Sequence, residues 1–338
     1  MNNIKKIGLS ALAGSLVAIS ANAAEISVSG GVELTYTDTG GDTGNEVTGN
    51  SFGANSGITF SGSGDVGFGT VSMTRAINDT NTGWGSSFQT LDMGDMGILS
   101  FDSTGGALVG LTAQDDTLPT AYEESWTGVG SSGVSGVGST NVIGYRNTVA
   151  GVSISAGYTN GEGSTSSGES TSSGAGAHGS TADLNLSMNV PELDGLTIGV
   201  GISESSASNK GTGTADTQNL QATATYTMGP VAVGYRMASV DDGLAGAASH
   251  TIDAFSVAFN VNDNFAISYG EVSNEQEAIG ATAAVTNDIK GYSAAYTMGA
   301  ASIRFNHSSS DNDAQGTAAT HTSGVNDETT EISLALSF

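Results

Sequence analysis

Glu331-Ile332-Ser333-Leu334-Ala335-Leu336-Ser337-Phe338 alternates apolar residues with small or polar ones at every position. Side chains of a β-strand point alternately to two faces, so Ile332, Leu334, Leu336 and Phe338 share one face. The pattern predicts a strand that closes a barrel against the first strand of the mature chain and turns its apolar face toward lipid. From this segment alone, the edge strand of a soluble sandwich is an equal alternative.

The same two-faced pattern recurs along the chain. The range 24–38 predicts a first strand, in which Val32, Leu34 and Tyr36 share the apolar face. We count about 16 strands of roughly ten residues, the length that crosses a bilayer at the usual tilt. The parity slips once, between Phe68 and Val71, where we expect a β-bulge. This slip leaves the face of Arg75 undecided.

The lengths of the connections between strands distinguish the membrane barrel from the soluble sandwich. The tetrapeptide Tyr-Thr-Met-Gly occurs at Tyr226–Gly229 and again at Tyr296–Gly299, each time at a short turn. Short turns alternate with long polar connections, which is typical of outer-membrane barrels and is not expected of a sandwich. Since lipid offers no partner to an open sheet edge, the sheet must close. We therefore predict an all-β, transmembrane antiparallel β-barrel that encloses water.

The first residues have the order of a secretory signal peptide. Lys5 and Lys6 precede an apolar run, and Ala21-Asn22-Ala23 follows it. We expect cleavage after Ala23, with residues 1–23 as the signal peptide and 24–338 as the barrel domain. The protein is then exported through the periplasm to the outer membrane, with outer-membrane lipid as its surroundings.

Charge and composition exclude several classes of protein. Asp and Glu number 34 against 8 Lys and Arg, for a formal charge of −26, so no basic footprint for nucleic acid exists. Cys is absent, so neither disulfides nor thiolate zinc sites are possible. The four histidines, His178, His250, His307 and His321, show no paired spacing. We predict no enzyme, no cofactor and no metal site, apart from adventitious Ca²⁺ at acidic loops.

One long stretch without alternation, from Ser103 to Gly138, is the candidate functional loop, because structureless segments of this length are uncommon. The acids that it carries are Asp115, Asp116, Glu123 and Glu124. The cations predicted to point into the lumen each follow an apolar-face residue: Arg146, Arg236 and Arg304. If the loop folds inward, its acids face a positive wall. The alternatives are a solvated acidic flap and scattered rim charges.

The chain resembles the Gram-negative outer-membrane general porins, especially the alphaproteobacterial type. The resemblance rests on the final Leu334–Phe338 segment, the repeated Tyr-Thr-Met-Gly turns and the long third loop, and it covers the whole mature chain. It implies a homotrimer of 16-stranded barrels whose third loop folds into the lumen and constricts the pore. The four loop acids would then line the constriction opposite the three arginines. The family trimers contact through the early strands, which fits the weak outward pattern from Gly57 to Phe101.

These observations predict a water-filled channel for passive diffusion of small hydrophilic solutes and ions. The acidic balance adds a weak preference for cations. Two other classes stay open at this stage. One is a surface adhesin or structural barrel without conductance, and the other is a secreted acidic calcium-binding β-protein.

Overall fold

The computed structural model describes residues 25–41, 50–78, 85–104, 109–111, 117–130, 133–138, 141–160, 178–207, 216–241, 243, 249–278, 284–311 and 326–338. The predicted signal peptide lies outside these residues. Within them, no helix is long and apolar enough to cross a membrane. The strands are β1 Glu25–Gly41, β2 Phe52–Asp65, β3 Thr70–Asn78, β4 Ser86–Asp92, β5 Ile98–Thr104, β6 Val142–Val149, β7 Val152–Asn160, β8 His178–Asn189, β9 Leu196–Ala207, β10 Thr217–Met228, β11 Val231–Asp241, β12 His250–Asn262, β13 Phe265–Gln276, β14 Val285–Met298, β15 Ala301–Asp311 and β16 Asn326–Ser337. A single 3₁₀ turn, Gly94–Met96, joins β4 to β5.

The strands form one closed antiparallel barrel, in which each strand pairs with its sequence neighbours and β16 pairs with β1. The closing register places Val32 opposite Leu336 and Leu34 opposite Leu334. The Gly30 amide donates to the Phe338 carbonyl at 3.0 Å, and the Phe338 amide donates back at 2.9 Å. The predicted barrel and its closing strand are confirmed.

The two faces of the wall differ as the alternation predicts. Ile332, Leu334 and Leu336 are exposed on the outside of β16, while Ser333 between them points inward and is buried. Exposed apolar residues follow the same parity on the other strands, and they make an apolar exterior far larger than the patches of soluble proteins. Together with closure, this exterior excludes the soluble sandwich.

The predicted bulge in the β2–β3 hairpin is wrong. The β2–β3 register runs without a shift, and residues 66–69 form the turn, closed by the Val66 amide donating to the Gly69 carbonyl at 2.9 Å. Phe68 thus lies in the turn and has no strand parity, which explains the apparent slip. The register also decides the open question of Arg75, which faces outward, opposite Phe60.

Connections follow the predicted alternation. The turns after even-numbered strands are short, as in Gly229 and Pro230 between β10 and β11, and those after odd-numbered strands are longer. The longest, residues 105–141 between β5 and β6, is called the third loop here. Its Leu118, Val129 and Val134 are buried against inward residues of the wall such as Ile252 and Ile289. The third loop therefore folds into the barrel, as predicted.

Candidate functional site

Both ends of the third loop are held by one carboxylate of β8. Asp183 Oδ2 accepts from the Leu111 amide at 2.6 Å and from the Val137 amide at 3.0 Å. The side chain is buried, so water does not replace either partner. Because buried N–H groups need an acceptor, Asp183 fixes the neck of the loop to the wall. Asn185, on the same face of β8, donates to the Val109 carbonyl at 3.2 Å.

The middle of the loop lies directly on the wall of β13 and β14. The Ala121 amide donates to Ser268 Oγ at 2.9 Å, and the Tyr122 amide donates to Ser293 Oγ at 3.1 Å. A β-carbon on Gly291 would collide with the backbone of Ser125. Glycine at that wall position lets the two backbones approach, as glycine commonly does where chains touch.

Arg236 of β11 points inward, as its parity predicts, but it does not border the open lumen. Its exposed fraction is 0%. Its guanidinium carbon lies 5.4 Å from the centre of the Trp126 ring, which covers it from the loop side. A guanidinium stacked on tryptophan is a favourable arrangement in a dry environment. The loop thus removes this cation from the water-filled path.

Four polar groups meet where the barrel closes. Arg304 Nη1 of β15 lies 3.3 Å from Glu33 Oε1 of β1, and its guanidinium carbon lies 5.0 Å from the centre of the Tyr122 ring. The Tyr122 hydroxyl donates to Glu331 Oε1 of β16 at 2.8 Å and approaches Glu33 Oε1 at 3.4 Å. Glu33 and Glu331 are called the seam carboxylates. They join a loop residue to the first and last strands.

Tyr122 stays protonated in this setting. Burial, the hydrogen bond to Glu331 and the charges of the seam carboxylates raise the pKa of the Tyr122 hydroxyl above its ordinary value. The phenol is therefore a donor at any physiological pH, and its contact with Glu331 does not depend on titration of the ring.

The two described loop acids lie side by side. Thr127 Oγ1 donates to Glu123 Oε2 at 3.2 Å and lies 3.5 Å from Glu124 Oε2. Both side chains are half-buried. The other two predicted constriction acids, Asp115 and Asp116, lie outside the described residues, and their place at the constriction stays a prediction.

Arg146 of β6 also points inward, into a different part of the lumen. It borders a hollow of about 570 Å³ that is lined by the β4–β5 turn and by residues of β5 to β8, among them Asn185. Among the described residues, no carboxylate lies within 4.0 Å of its guanidinium. The structure therefore places the three predicted arginines in three different settings: one is covered, one is ion-paired and one opens onto this hollow.

Sequence reasoning missed the residues that position the loop. Asp183, Glu33 and Glu331 sit at inward parity, opposite the apolar residues of their strands. The sequence indicates this parity, but many other lumen residues share it. Only contact with the third loop distinguishes these carboxylates from the others, and the sequence does not predict the path of the loop.

A metal centre finds no support in the described residues, which contain no group of three or more His, Asp or Glu side chains that could hold a metal ion. The adventitious Ca²⁺ considered above stays a prediction for acidic loops that lie largely outside these residues.

Comparison with known proteins gives one family and one fold. A family model described as Gram-negative porin matches residues 8–337. No curated protein sequence matches the chain. Among solved structures, Salmonella typhi OmpF in complex with daunomycin is 13% identical, with a TM-score of 0.68 and coverage of 94% of this chain and 99% of that one. The anion-selective porin from Comamonas acidovorans is 15% identical, with a TM-score of 0.64 and coverage of 93% and 100%. The trimer form of Vibrio cholerae OmpT is 14% identical, with a TM-score of 0.62 and coverage of 94% and 100%. At these identities the structural likeness speaks for the fold.

Proposed function

The chain belongs to the Gram-negative porin family, and we propose that its outer-membrane channel carries small hydrophilic solutes and ions by passive diffusion, with a weak preference for cations. The porin fold supplies the water-filled path. The observation that supports the preference is the cluster at the seam, where the loop meets two wall carboxylates and a single arginine.

The charge balance near the loop favours cations. The seam carboxylates and the loop acids Glu123 and Glu124 border the region where the third loop crosses the lumen. Arg304 and Glu33 form an ion pair and offset each other, and Arg236 is covered by Trp126, which leaves Glu331, Glu123 and Glu124. Charges in water are screened over about 8 Å at physiological salt, so only those close to the narrow zone act on a passing ion. The nearby acids therefore outweigh the nearby cations.

The test is the reversal potential of the purified protein in a planar bilayer under a KCl gradient. We expect the reversal potential to have the sign that results when K⁺ passes faster than Cl⁻. Its magnitude should be smaller in Glu331→Gln. Glu328→Gln is the matched control, since Glu328 lies on the same strand and faces outward. Anion preference, or equal effects of the two variants, would contradict the charge argument. A protein that inserts but carries no current would instead be a non-conducting barrel.

We also propose a homotrimer that contacts through the outward face of β3 and β4. Arg75 lies on that face, where its guanidinium donates to Ser87 Oγ and faces the side chain of Gln89. A cation facing lipid at mid-depth costs about 2–4 kcal/mol, whereas a neighbouring protein can supply acceptors. A solved relative in fold, Vibrio cholerae OmpT, has a trimer form. Unheated protein in mild detergent is expected to migrate as a trimer, and Arg75→Leu should change that migration whereas Arg146→Leu should not. Monomeric migration of the wild type would refute the proposal.

Export and cleavage complete the proposed function. Removal of residues 1–23 would leave a mature chain beginning at Ala24, one residue before β1. The intact mass of the protein purified from outer membranes checks this directly. A mass that includes Lys5 and Lys6 would refute cleavage.

A further inference from the structure

The hollow beside Arg146 lies on the opposite side of the barrel from the seam. Its wall is made by β5 to β8, whereas the seam carboxylates belong to β1 and β16. The third loop lies beside it, since the lining residue Ser155 donates through Oγ to the Val109 carbonyl at 3.1 Å. The β4–β5 turn at Gly94 and Asp95 borders its other end. Its volume, about 570 Å³, is enough for a small organic solute.

The lining of this hollow reverses the sign of charge found at the seam. Among the described residues that line it, Arg146 is the only cation, and hydroxyl groups come from Thr148, Ser153 and Ser187. Opposed pairs in the strand register put these groups on adjoining inward positions: Thr148 faces Ser153, and Ser153 faces Ser187. Asp95, an exposed residue of the turn, is the only carboxylate in the described part of the lining.

We propose that this hollow is a binding subsite for the carboxylate group of small hydroxylated solutes that cross the channel. A guanidinium binds a carboxylate through two parallel N–H···O bonds, which are about twice as strong as neutral ones. The neighbouring hydroxyl groups can donate hydrogen bonds to the hydroxyls of such a solute and accept hydrogen bonds from them. Arg146 is suited to this role because, unlike Arg304 and Arg236, it has neither a carboxylate partner nor a covering aromatic ring among the described residues.

The subsite rests on the proposed channel function and adds an anion-binding step to a path whose acids otherwise favour cations. A solute with both an ammonium and a carboxylate group meets acids near the seam and Arg146 across the barrel. We expect such solutes to pass more readily than simple anions of the same size.

Gluconate is the probe, and sorbitol, which lacks the carboxylate, is the uncharged control. Single-channel current is recorded at constant KCl while either compound is added to each side of the bilayer in turn. We expect gluconate at about 10 mM, a concentration suited to weak binding, to cause brief interruptions of the current, and sorbitol to cause none. The mean duration should fall about tenfold in Arg146→Gln and less in Arg146→Lys, which keeps the charge but loses the paired donors.

Arg304→Gln is the matched variant, because it removes the same charge from the lumen at the seam. In Arg304→Gln, the mean duration of gluconate interruptions should stay within about twofold of the wild type. A loss of about 1.4 kcal/mol in binding free energy would change it tenfold. Equal shortening in Arg146→Gln and Arg304→Gln would overturn the subsite, as would a wild type without interruptions. Absence of current in the wild type would instead refute the channel function. Heat-modifiable migration in gels checks that each variant has folded.

Discussion

Replacing Asp183 with alanine should free the neck of the third loop and leave the barrel intact. The carboxylate accepts two loop amides, from Leu111 and Val137, and none of the three groups belongs to a strand ladder that the substitution would break. Each buried N–H left without a partner costs about 1–3 kcal/mol. Losing the shared acceptor should therefore weaken attachment of the neck by about 2–6 kcal/mol.

Limited proteolysis measures the weaker attachment of the neck as a faster rate of cleavage. When opening is fast compared with cleavage, the rate follows the population of the open form, and about 2 kcal/mol changes that population roughly 30-fold. Chymotrypsin is suited to the assay, since the third loop has no Lys or Arg for trypsin. We expect cleavage after Leu111 of the folded protein to be at least about 30-fold faster in Asp183→Ala. Asp183→Asn should give a smaller increase, because its amide oxygen still accepts both N–H groups.

Asp194→Ala provides the comparison. Asp194 lies in the short turn that follows β8, is exposed, and carries the same charge. Its removal should leave the cleavage rate unchanged. If Asp183→Ala is cleaved at the wild-type rate while its barrel remains folded by heat-modifiable migration, the carboxylate does not hold the neck and the reasoning is wrong.

Three further predictions concern the loop and the seam. Tyr122→Phe removes the hydroxyl that contacts the seam carboxylates, and should cost about 0.5–1.5 kcal/mol of loop attachment, measured as increased open-channel current noise. Trp126→Ala uncovers Arg236 and should raise single-channel conductance while lowering cation preference, as read from current and reversal potential. Gly30→Val places a side chain against the backbone of β2 and should destabilise the closed barrel by about 1–3 kcal/mol, seen as a lower temperature of heat-modifiable migration. Gly64→Val has open space and should not.

The alternation of apolar and polar residues predicted most of the fold. In Leu334 and Leu336 the alternation predicted both the outward face and the partner strand, because a half-buried strand specifies its register through its side chains. The β2–β3 hairpin was the exception. Phe68 is apolar but lies in a turn, so counting its parity produced a bulge where the register is regular. A turn of small and apolar residues gives little signal of its own.

For the site, strand parity predicted which face of the wall each arginine occupies, but not what surrounds it. Arg146, Arg236 and Arg304 were all placed on the inward face, and the structure has them there. Their different surroundings follow from the course of the third loop, which has no alternation to interpret. Contacts such as Trp126 over Arg236 join residues more than a hundred positions apart, and no local pattern encodes them.

The wall itself decides where the loop lies. Val272 is opposite Ala254 on one side and opposite Ile289 on the other, so inward apolar residues of β12 to β14 form a continuous patch. Such a patch in a water-filled barrel is unfavourable, since burying each large aliphatic side chain is worth about 1.5–3 kcal/mol. Leu118 and Val129 of the loop cover it. The middle of the loop is thereby drawn to this part of the wall. Adding a polar residue to the patch, as in Val272→Asn, should shift the loop and alter conductance without any change in the charges that border the channel.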